Sequence, residues 1–195
     1  GPDLLLDVTA FSQHYRRMRS VSYSGYLPGF FGAPGVVPDY LHLLYPVDFV
    51  SSAMTSGLEL YLEWQPLARV RLSADYSRLH LGLRKSGDAV RDESFAYYAQ
   101  AVPREQFGLR GNLKLADGRY LNLAWRHVGA LMNGLVPAYE VLDAYLAWRV
   151  SGGARLSVAV SNLLDDRHVE FVPDYVPSAN LEFGRSVLVG FSVDF

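Results

Sequence analysis

Apolar and polar residues alternate along eight segments of this chain. The last segment, GRSVLVGFSVDF, places apolar side chains at every second position from Val187 to Val193 and ends on an aromatic residue, Phe195. Strict alternation is typical of a β-strand with one apolar and one polar face. The segments predicted to be strands are approximately 3–17, 54–65, 69–82, 105–115, 119–129, 139–150, 154–162 and 184–195.

The same alternation assigns each side chain to a face. The apolar face carries aromatic residues near strand ends: Trp64 and Trp148 lie shortly before short turns, and Phe195 ends the chain. The polar face carries charges of both signs, namely Glu59, Glu63, Arg71, Asp75, Arg110, Lys114, Arg126, Asp143 and Arg149.

The connections between the predicted strands alternate in length. Those at 66–68, 116–118 and 151–153 are short, whereas those at 20–53, 83–104, 132–138 and 163–182 are longer. If the strands run up and down in sequence order, all short turns lie at one end and all longer loops at the other. This asymmetry is typical of bacterial outer-membrane β-barrels. No domain boundary is evident, and a short helical turn predicted within 91–100 would lie inside a loop.

The composition favours a protein that crosses the membrane with β-strands. Only 19% of the 195 residues are charged, against roughly a quarter in soluble domains. No stretch approaches the ~18 consecutive apolar residues of a spanning helix. The net charge of −2 without basic runs gives no electrostatic footprint for nucleic acid.

Two further features bear on chemistry and processing. The absence of cysteine excludes disulfides, thiolate metal sites and cysteine nucleophiles. The chain starts with Gly-Pro rather than Met and shows no signal peptide, so we expect a processed, truncated or excised chain.

Alternation alone does not say which face meets water. In a soluble sandwich or a lipocalin-like barrel, the apolar face would form the core. The aromatic residues near strand ends, the sorting of loops by length and the mixed charges of the polar face favour an outer-membrane barrel. The nine charged residues are then predicted to face the lumen, and Trp64, Trp148 and Phe195 to lie at the membrane interface.

Several motifs resemble one family. Residues 161–171, SNLLDDRHVEF, followed by a loop and a strand ending in Phe, resemble the C-terminal region of TonB-dependent outer-membrane receptors. DLLLDVTAFSQHY, TSGLELYLEW and VPAYEVLDAYLAWRV resemble earlier strands of that family, in the same order. The resemblance therefore spans essentially the whole chain.

The resemblance implies an all-β protein, an antiparallel up-and-down transmembrane β-barrel of about 22 strands around a plug. This chain would supply about eight C-terminal strands, so that residues 1–195 form a barrel portion without the plug domain. The implied partners are outer-membrane lipid, the remaining barrel and plug, TonB through the missing N-terminal part, and a small-molecule ligand such as a ferric siderophore, cobalamin or an oligosaccharide. No cofactor or enzymatic activity is implied. A self-contained eight-stranded outer-membrane barrel, structural or adhesive, and a soluble ligand-binding β-barrel are the alternatives.

The long loop at 20–52 is the candidate ligand-binding segment. It is rich in aromatic residues among prolines and glycines, and rigid aromatic rings bind planar or sugar-like ligands at a low entropic cost. A loop that packs against itself or its neighbours explains the same composition. The residues predicted to bind ligand are Tyr23, Tyr26, Phe30, Phe31, Tyr40 and Tyr45.

Other polar groups favour structural roles. His168 lies beside Asp165, Asp166 and Glu170, but no second histidine has metal-ligand spacing, so capping of a strand-to-loop turn is favoured over a metal site. The charges of the polar face suit cross-strand pairing better than a substrate path. No catalytic residues are predicted.

Overall fold

The computed structural model describes residues 3–21, 27–31, 40–44, 47–85, 99–115, 118–150, 152–172 and 179–193. Most of these residues lie in twelve β-strands. The strands are β1 Asp3–Val21, β2 Leu27–Phe31, β3 Tyr40–Leu44, β4 Val47–Leu67, β5 Val70–Arg84, β6 Glu105–Lys114, β7 Arg119–Val128, β8 Tyr139–Arg149, β9 Ala154–Ser161, β10 Arg167–Phe171, β11 Leu181–Gly184 and β12 Ser186–Val193.

Eight strands form one antiparallel sheet in the order β1-β4-β5-β6-β7-β8-β9-β12. These are the eight predicted strands, and each lies beside its neighbour in the sequence, so the predicted up-and-down arrangement is confirmed. The closing strand β12 pairs with β9, where Phe191 lies opposite Leu156 and Val189 opposite Val158.

Two hairpins lie inside segments that were predicted to be loops. β2 pairs with β3, and β10 pairs with β11, both antiparallel. Their strands have only four or five residues, too few for alternation to distinguish them from loop residues. β1 and β4 are also longer than predicted and reach Val21 and Val47. Most of the predicted helical turn, residues 91–98, lies outside the described residues.

The chain divides into two compact units. Unit 1 comprises Gly1–Phe11, Gly57–Leu79 and Pro103–Phe195, and it contains β6 to β12. Unit 2 comprises Ser12–Ser56 and His80–Val102, and it contains the β2–β3 hairpin.

Short turns in unit 1 connect β4 to β5, β6 to β7 and β8 to β9, as predicted. Gly152 and Gly153, between β8 and β9, have φ angles of 77° and 78°. Two consecutive residues in this region favour glycine, which has no Cβ to clash with the backbone. We call this end of the sheet the short-turn end, and the opposite end the long-loop end.

The strand register places the predicted apolar side chains of unit 1 opposite one another. One row across β6, β7 and β8 contains Leu109, Trp125 and Leu142. A second row, from β7 to β12, contains Leu121, Leu146, Val158 and Val189. One-residue slips would exchange the two faces, so this register produces one continuous apolar face and one polar face.

The large apolar side chains of this chain are mostly exposed, whereas those of a soluble domain are mostly buried. Among the described residues, 33 large hydrophobic side chains are exposed and only seven hydrophobic residues are buried. A water-soluble chain of this length would bury most of its large apolar side chains. No helix in the described part of the chain is long and apolar enough to cross a membrane.

Candidate functional site

The apolar face has polar boundaries at both ends. At the short-turn end Trp148 lies opposite Arg119. At the long-loop end Glu140 lies on the same face, where it accepts a hydrogen bond from Trp125 Nε1 at 3.4 Å and lies 3.6 Å from His127 Nδ1. The eight residue-to-residue steps from Glu140 to Trp148 span roughly 26 Å, or about 20 Å for a strand tilted by about 40°. This height approximates the apolar band of outer-membrane barrels, about 25 Å.

The predicted interface aromatics are placed as follows. Trp64 is exposed near the short-turn end of β4, and half-buried Trp148 lies near the same end of β8. An open apolar groove of ≈ 520 Å³ lies on this face between Trp64 and Trp125. Phe195 lies outside the described residues.

On the polar face, charged side chains meet across strands. Arg110 Nη1 donates to Asp75 Oδ1 at 3.0 Å, and Arg71 Nε lies 3.6 Å from Glu63 Oε1. A Cβ on Gly108 would come within 2.6 Å of the Asp75 carboxylate oxygens. Glycine at that position therefore leaves room for the Asp75–Arg110 pair. The predicted cross-strand pairing is confirmed for these two pairs.

The other predicted polar-face charges differ in their contacts. Arg126 and Asp143 contact residues that follow β9, rather than an oppositely charged residue on a neighbouring strand. Glu59, Lys114 and Arg149 have no ion-pair partner among the described residues.

Asn162, directly after β9, joins several elements at the long-loop end. It is 3% exposed, and its φ angle is 56°, a conformation that asparagine tolerates better than most residues. Its backbone N–H donates to Asp143 Oδ1 at 3.0 Å. Its side-chain Nδ2 donates to the Phe183 carbonyl at 3.4 Å, and its own carbonyl accepts from Arg185 Nε at 3.4 Å. Asn162 thereby connects β8, β11 and the start of β12.

His168 extends this set of contacts into β10. Its imidazole stacks on Tyr139 with ring centroids 4.6 Å apart. Nε2 lies 2.9 Å from Glu170 Oε1, and Nδ1 lies 3.3 Å from Asn162 Nδ2. Each ring nitrogen therefore lies within hydrogen-bond distance of a polar group, so that the imidazole is held between Asn162 and Glu170.

Glu170 connects this histidine to the main sheet. Its Oε1 also accepts from Arg126 Nη2 at 2.8 Å. The result is a continuous set of contacts, which we call the His168 network: Arg126, Glu170, His168, Asn162 and Asp143. It attaches the β10–β11 hairpin to β7 and β8.

The His168 network agrees with a structural role for the SNLLDDRHVEF segment. Exposed Asp166 pairs with Arg185 at 3.2 Å rather than with the histidine. Within the part of the chain that is described, no group of three His, Cys, Asp or Glu side chains is arranged to hold a metal ion. Tyr139 and Asn162 were not among the residues predicted from the sequence, because their role depends on partners distant in the chain.

An open groove of ≈ 690 Å³ runs beside the network at the long-loop end. It has a mixed polar and apolar lining that includes His127, Tyr139, Glu140, Arg167 and His168. Its position and polarity make it a candidate surface for ligand contact.

The aromatic loop is only partly described. Phe30 and Phe31 lie in β2 and Tyr40 in β3, where Phe31 is paired with Tyr40. The hairpin thus brings three of the predicted ligand-binding residues to one end of a two-stranded sheet. The other predicted residues, Tyr23, Tyr26 and Tyr45, lie outside the described residues.

An antiparallel up-and-down sheet with one apolar and one polar face is the architecture of β-barrels, both those that span membranes and those that are soluble. A family model described as TonB dependent receptor-like, beta-barrel, matches residues 1–163. The chain therefore belongs to the TonB-dependent receptor family, which confirms the resemblance found in its sequence. Members of this family are outer-membrane barrels of Gram-negative bacteria.

Two solved structures have the same fold. The ferric yersiniabactin uptake receptor FyuA from Yersinia pestis has a TM-score of 0.69 and 19% identity, over 99% of this chain and 28% of that chain. The ferric-catecholate import receptor Fiu from K12 E. coli has a TM-score of 0.69 and 14% identity, over 98% of this chain and 25% of that chain. This chain thus spans about a quarter of the length of each receptor. No curated protein matches the chain.

Proposed function

We propose that this chain is the C-terminal part of the barrel of an outer-membrane receptor that actively takes up a scarce ligand, such as a ferric siderophore. The observation that carries this proposal is that almost the whole chain superimposes on about a quarter of two iron-chelate receptors. Membership of the TonB-dependent receptor family supports the same role. The chain is a receptor part and not an enzyme, in keeping with this family.

In this proposal the apolar face contacts outer-membrane lipid. The height of the apolar band and its flanking tryptophans support this orientation. The polar face then faces the lumen, against the plug, and β1 and β12 pair with the remaining barrel strands. The residues proposed to face the lumen are Glu59, Glu63, Arg71, Asp75, Arg110, Lys114, Arg126, Asp143 and Arg149.

The ligand meets the long-loop end. The aromatic residues of the 20–52 loop and the groove beside the His168 network are the surfaces proposed to contact it. Aromatic rings add contact area at a low entropic cost, and the polar groups of the groove fix orientation. Energy for uptake comes from TonB, through the part of the protein that precedes this chain.

Growth and uptake measurements with the full-length gene test this proposal. A strain that lacks the gene should fail to grow on one ligand class from a panel of iron chelates, cobalamin and glycans under limitation. The full-length gene should restore growth and uptake of the labelled ligand only when TonB is present. Unchanged growth on every ligand, or uptake that does not need TonB, would contradict the proposal.

The proposed ligand contact of the 20–52 loop can be tested in the same assay. The double variant Phe31→Ala and Tyr40→Ala should weaken uptake by about tenfold, since two aromatic contacts are lost. The matched control Tyr15→Ala removes an aromatic side chain from outside the 20–52 loop and should leave uptake unchanged. Equal loss in both variants would indicate damage to folding instead of ligand contact.

A further inference from the structure

The groove of ≈ 690 Å³ beside the His168 network lies between two strands that do not pair with each other. One side of its lining comes from residues 137–140, at the start of β8. The other side comes from residues 164, 165 and 167–169, which include the first part of β10. The groove is therefore a gap between two strand edges, and we call it the strand-edge groove.

The edge of β8 that faces β9 is unpaired near the long-loop end. The Leu163 N–H donates to the Leu142 carbonyl on this edge at 2.8 Å. Beyond that bond, β8 continues to Tyr139 with register partners on β7, while no described strand pairs with its other edge. Main-chain groups alternate between the two edges of a strand, so those of Glu140 point the same way as those of Leu142. Glu140 thus directs its N–H and its carbonyl into the strand-edge groove.

β10 directs a second unpaired edge into the same groove. Directly before β10, the Asp166 carbonyl accepts from the Arg185 N–H at 3.1 Å, on the side where β10 pairs with β11. By the same alternation, the main-chain groups of Arg167 and Val169 point to the opposite edge, and both residues line the groove. In the described ranges, β10 pairs with β11 alone. Two rows of main-chain donors and acceptors therefore border one space.

The strand-edge groove is not part of the wall that faces a plug. His127 and Glu140 line it from the apolar face, at the boundary of the apolar band. Toward the polar face, the stacked rings of Tyr139 and His168 bridge the gap between β8 and β10. The strands proposed to pair with the remaining barrel are β1 and β12, whereas β8 and β10 border the groove. A plug against the polar face therefore leaves the groove open.

The side chains of the strand-edge groove favour a peptide that carries a basic residue. Leu164 and Val169 provide apolar contact. Arg167 is already paired with Glu182 at 3.4 Å. The exposed carboxylate of Asp165 has no ion-pair partner within the part of the chain that is described. The unpaired charge of the groove is therefore negative, and a lysine or arginine of a bound chain would compensate it.

We propose that the strand-edge groove binds an extended peptide segment with a basic side chain, by adding a strand along β8 and β10. In strand addition, main-chain hydrogen bonds provide affinity and alternate side chains provide specificity. About four residues of extended chain, roughly 13 Å, match the length of segment 137–140. The inference deepens the proposed function and rests on it, because it names the chemical class of the ligand part that this groove contacts.

Fluorescence polarisation of a labelled peptide with the full-length protein in detergent tests the proposal. The probe is the end-capped pentapeptide Val-Lys-Val-Lys-Val, which alternates apolar and basic side chains and should bind. The same peptide with both lysines N-methylated on the main chain should bind about tenfold more weakly, because its N–H donors toward one strand edge are lost. Val-Glu-Val-Glu-Val should also bind more weakly, because its carboxylates are repelled by Asp165 and Glu140.

A matched pair of variants tests the edge of β10. Val169→Pro removes an N–H that points into the groove and that pairing with β11 does not use. Val169→Ala also shortens the side chain but keeps this N–H. The proline variant should bind the lysine peptide about tenfold more weakly than the alanine variant. A change of gel mobility on heating checks that both variants fold. If Val169→Pro does not fold, the N-methylated peptide still gives the comparison.

Three results would overturn the proposal: equal binding of the plain and N-methylated peptides, equal binding by Val169→Pro and Val169→Ala, or tighter binding of maltotetraose than of the lysine peptide. Uptake that depends on TonB, without peptide binding, would overturn this inference and leave the proposed function in place. Peptide binding without such uptake would contradict the proposed function instead.

Discussion

At the scale of single residues, Asn162 makes the hydrogen bonds that join several elements at the long-loop end. Its side chain is buried, its backbone has a positive φ angle, and it contacts Asp143, His168 and Phe183. Each hydrogen bond contributes about 1 kcal/mol to stability. Loss of the residue removes several contacts at once, since these groups form one connected network.

Two substitutions distinguish the effect of the backbone conformation at Asn162 on stability from the effect of its side-chain contacts. Asn162→Gly should lower the free energy of unfolding by about 1 kcal/mol, because the amide contacts are lost while the positive φ angle is still allowed. Asn162→Ala should cost about 1 kcal/mol more, because Cβ opposes that conformation. Urea unfolding of the protein in lipid vesicles measures both. Equal stabilities of the two variants would show that the positive φ angle is not the cause.

At the scale of elements, alternation gives each strand of the sheet two different environments. Leu123 lies opposite Ala144, midway between Trp148 and Glu140, and so at the centre of the apolar band. The adjacent Asn122 lies on the polar face, opposite Asn112 and Tyr145. Neighbouring residues of one strand should therefore respond to the same substitution in different ways.

The comparison of Leu123→Arg with Asn122→Arg measures this difference. If the apolar band faces lipid, as proposed, arginine at its middle should lower the unfolding free energy by about 2–4 kcal/mol. Arginine at position 122 should cost less than about 1 kcal/mol, because a hydrated polar face solvates the guanidinium. Urea unfolding in vesicles gives both values. A larger loss for Asn122→Arg would mean that the two faces have been assigned the wrong way round.

At the scale of the whole molecule, exposed apolar surface is the dominant property. The 33 exposed large hydrophobic side chains exceed what a monomeric soluble protein tolerates. In the proposed orientation, lipid covers those of the exposed hydrophobic side chains that lie on the apolar face. In the eight-stranded sheet, every strand from β4 to β9 of the order given above is paired on both sides, the arrangement that a strand-built membrane protein requires.

The full-length protein should therefore behave as an outer-membrane barrel. It should need detergent for extraction, and its gel mobility should change on heating, because a folded barrel resists unfolding in mild detergent. Electrophoresis of heated and unheated samples checks this expectation. A chain that is soluble and monomeric without detergent would contradict the membrane assignment.

The sequence was sufficient for much of the fold because strand alternation is local. Each of the eight main strands carries its own period-two pattern, as in Leu142 to Trp148, and their order follows when each pairs with its neighbour. The short hairpins were not predictable in this way. β10 and β11 have five and four residues, and contacts such as Arg126 with Glu170 hold β10 in place.

By itself, the sequence determined the strands, their two faces, the alternation of short and long connections and the resemblance to the TonB-dependent receptor family. All of these depend on side-chain order along a single strand or on motifs that are continuous in the chain. Only the tertiary structure decided that Arg126, Asp143, Asn162, His168 and Glu170 form one network. The physical reason is register: the partners lie on different strands, and which side chains meet is fixed when the strands pair.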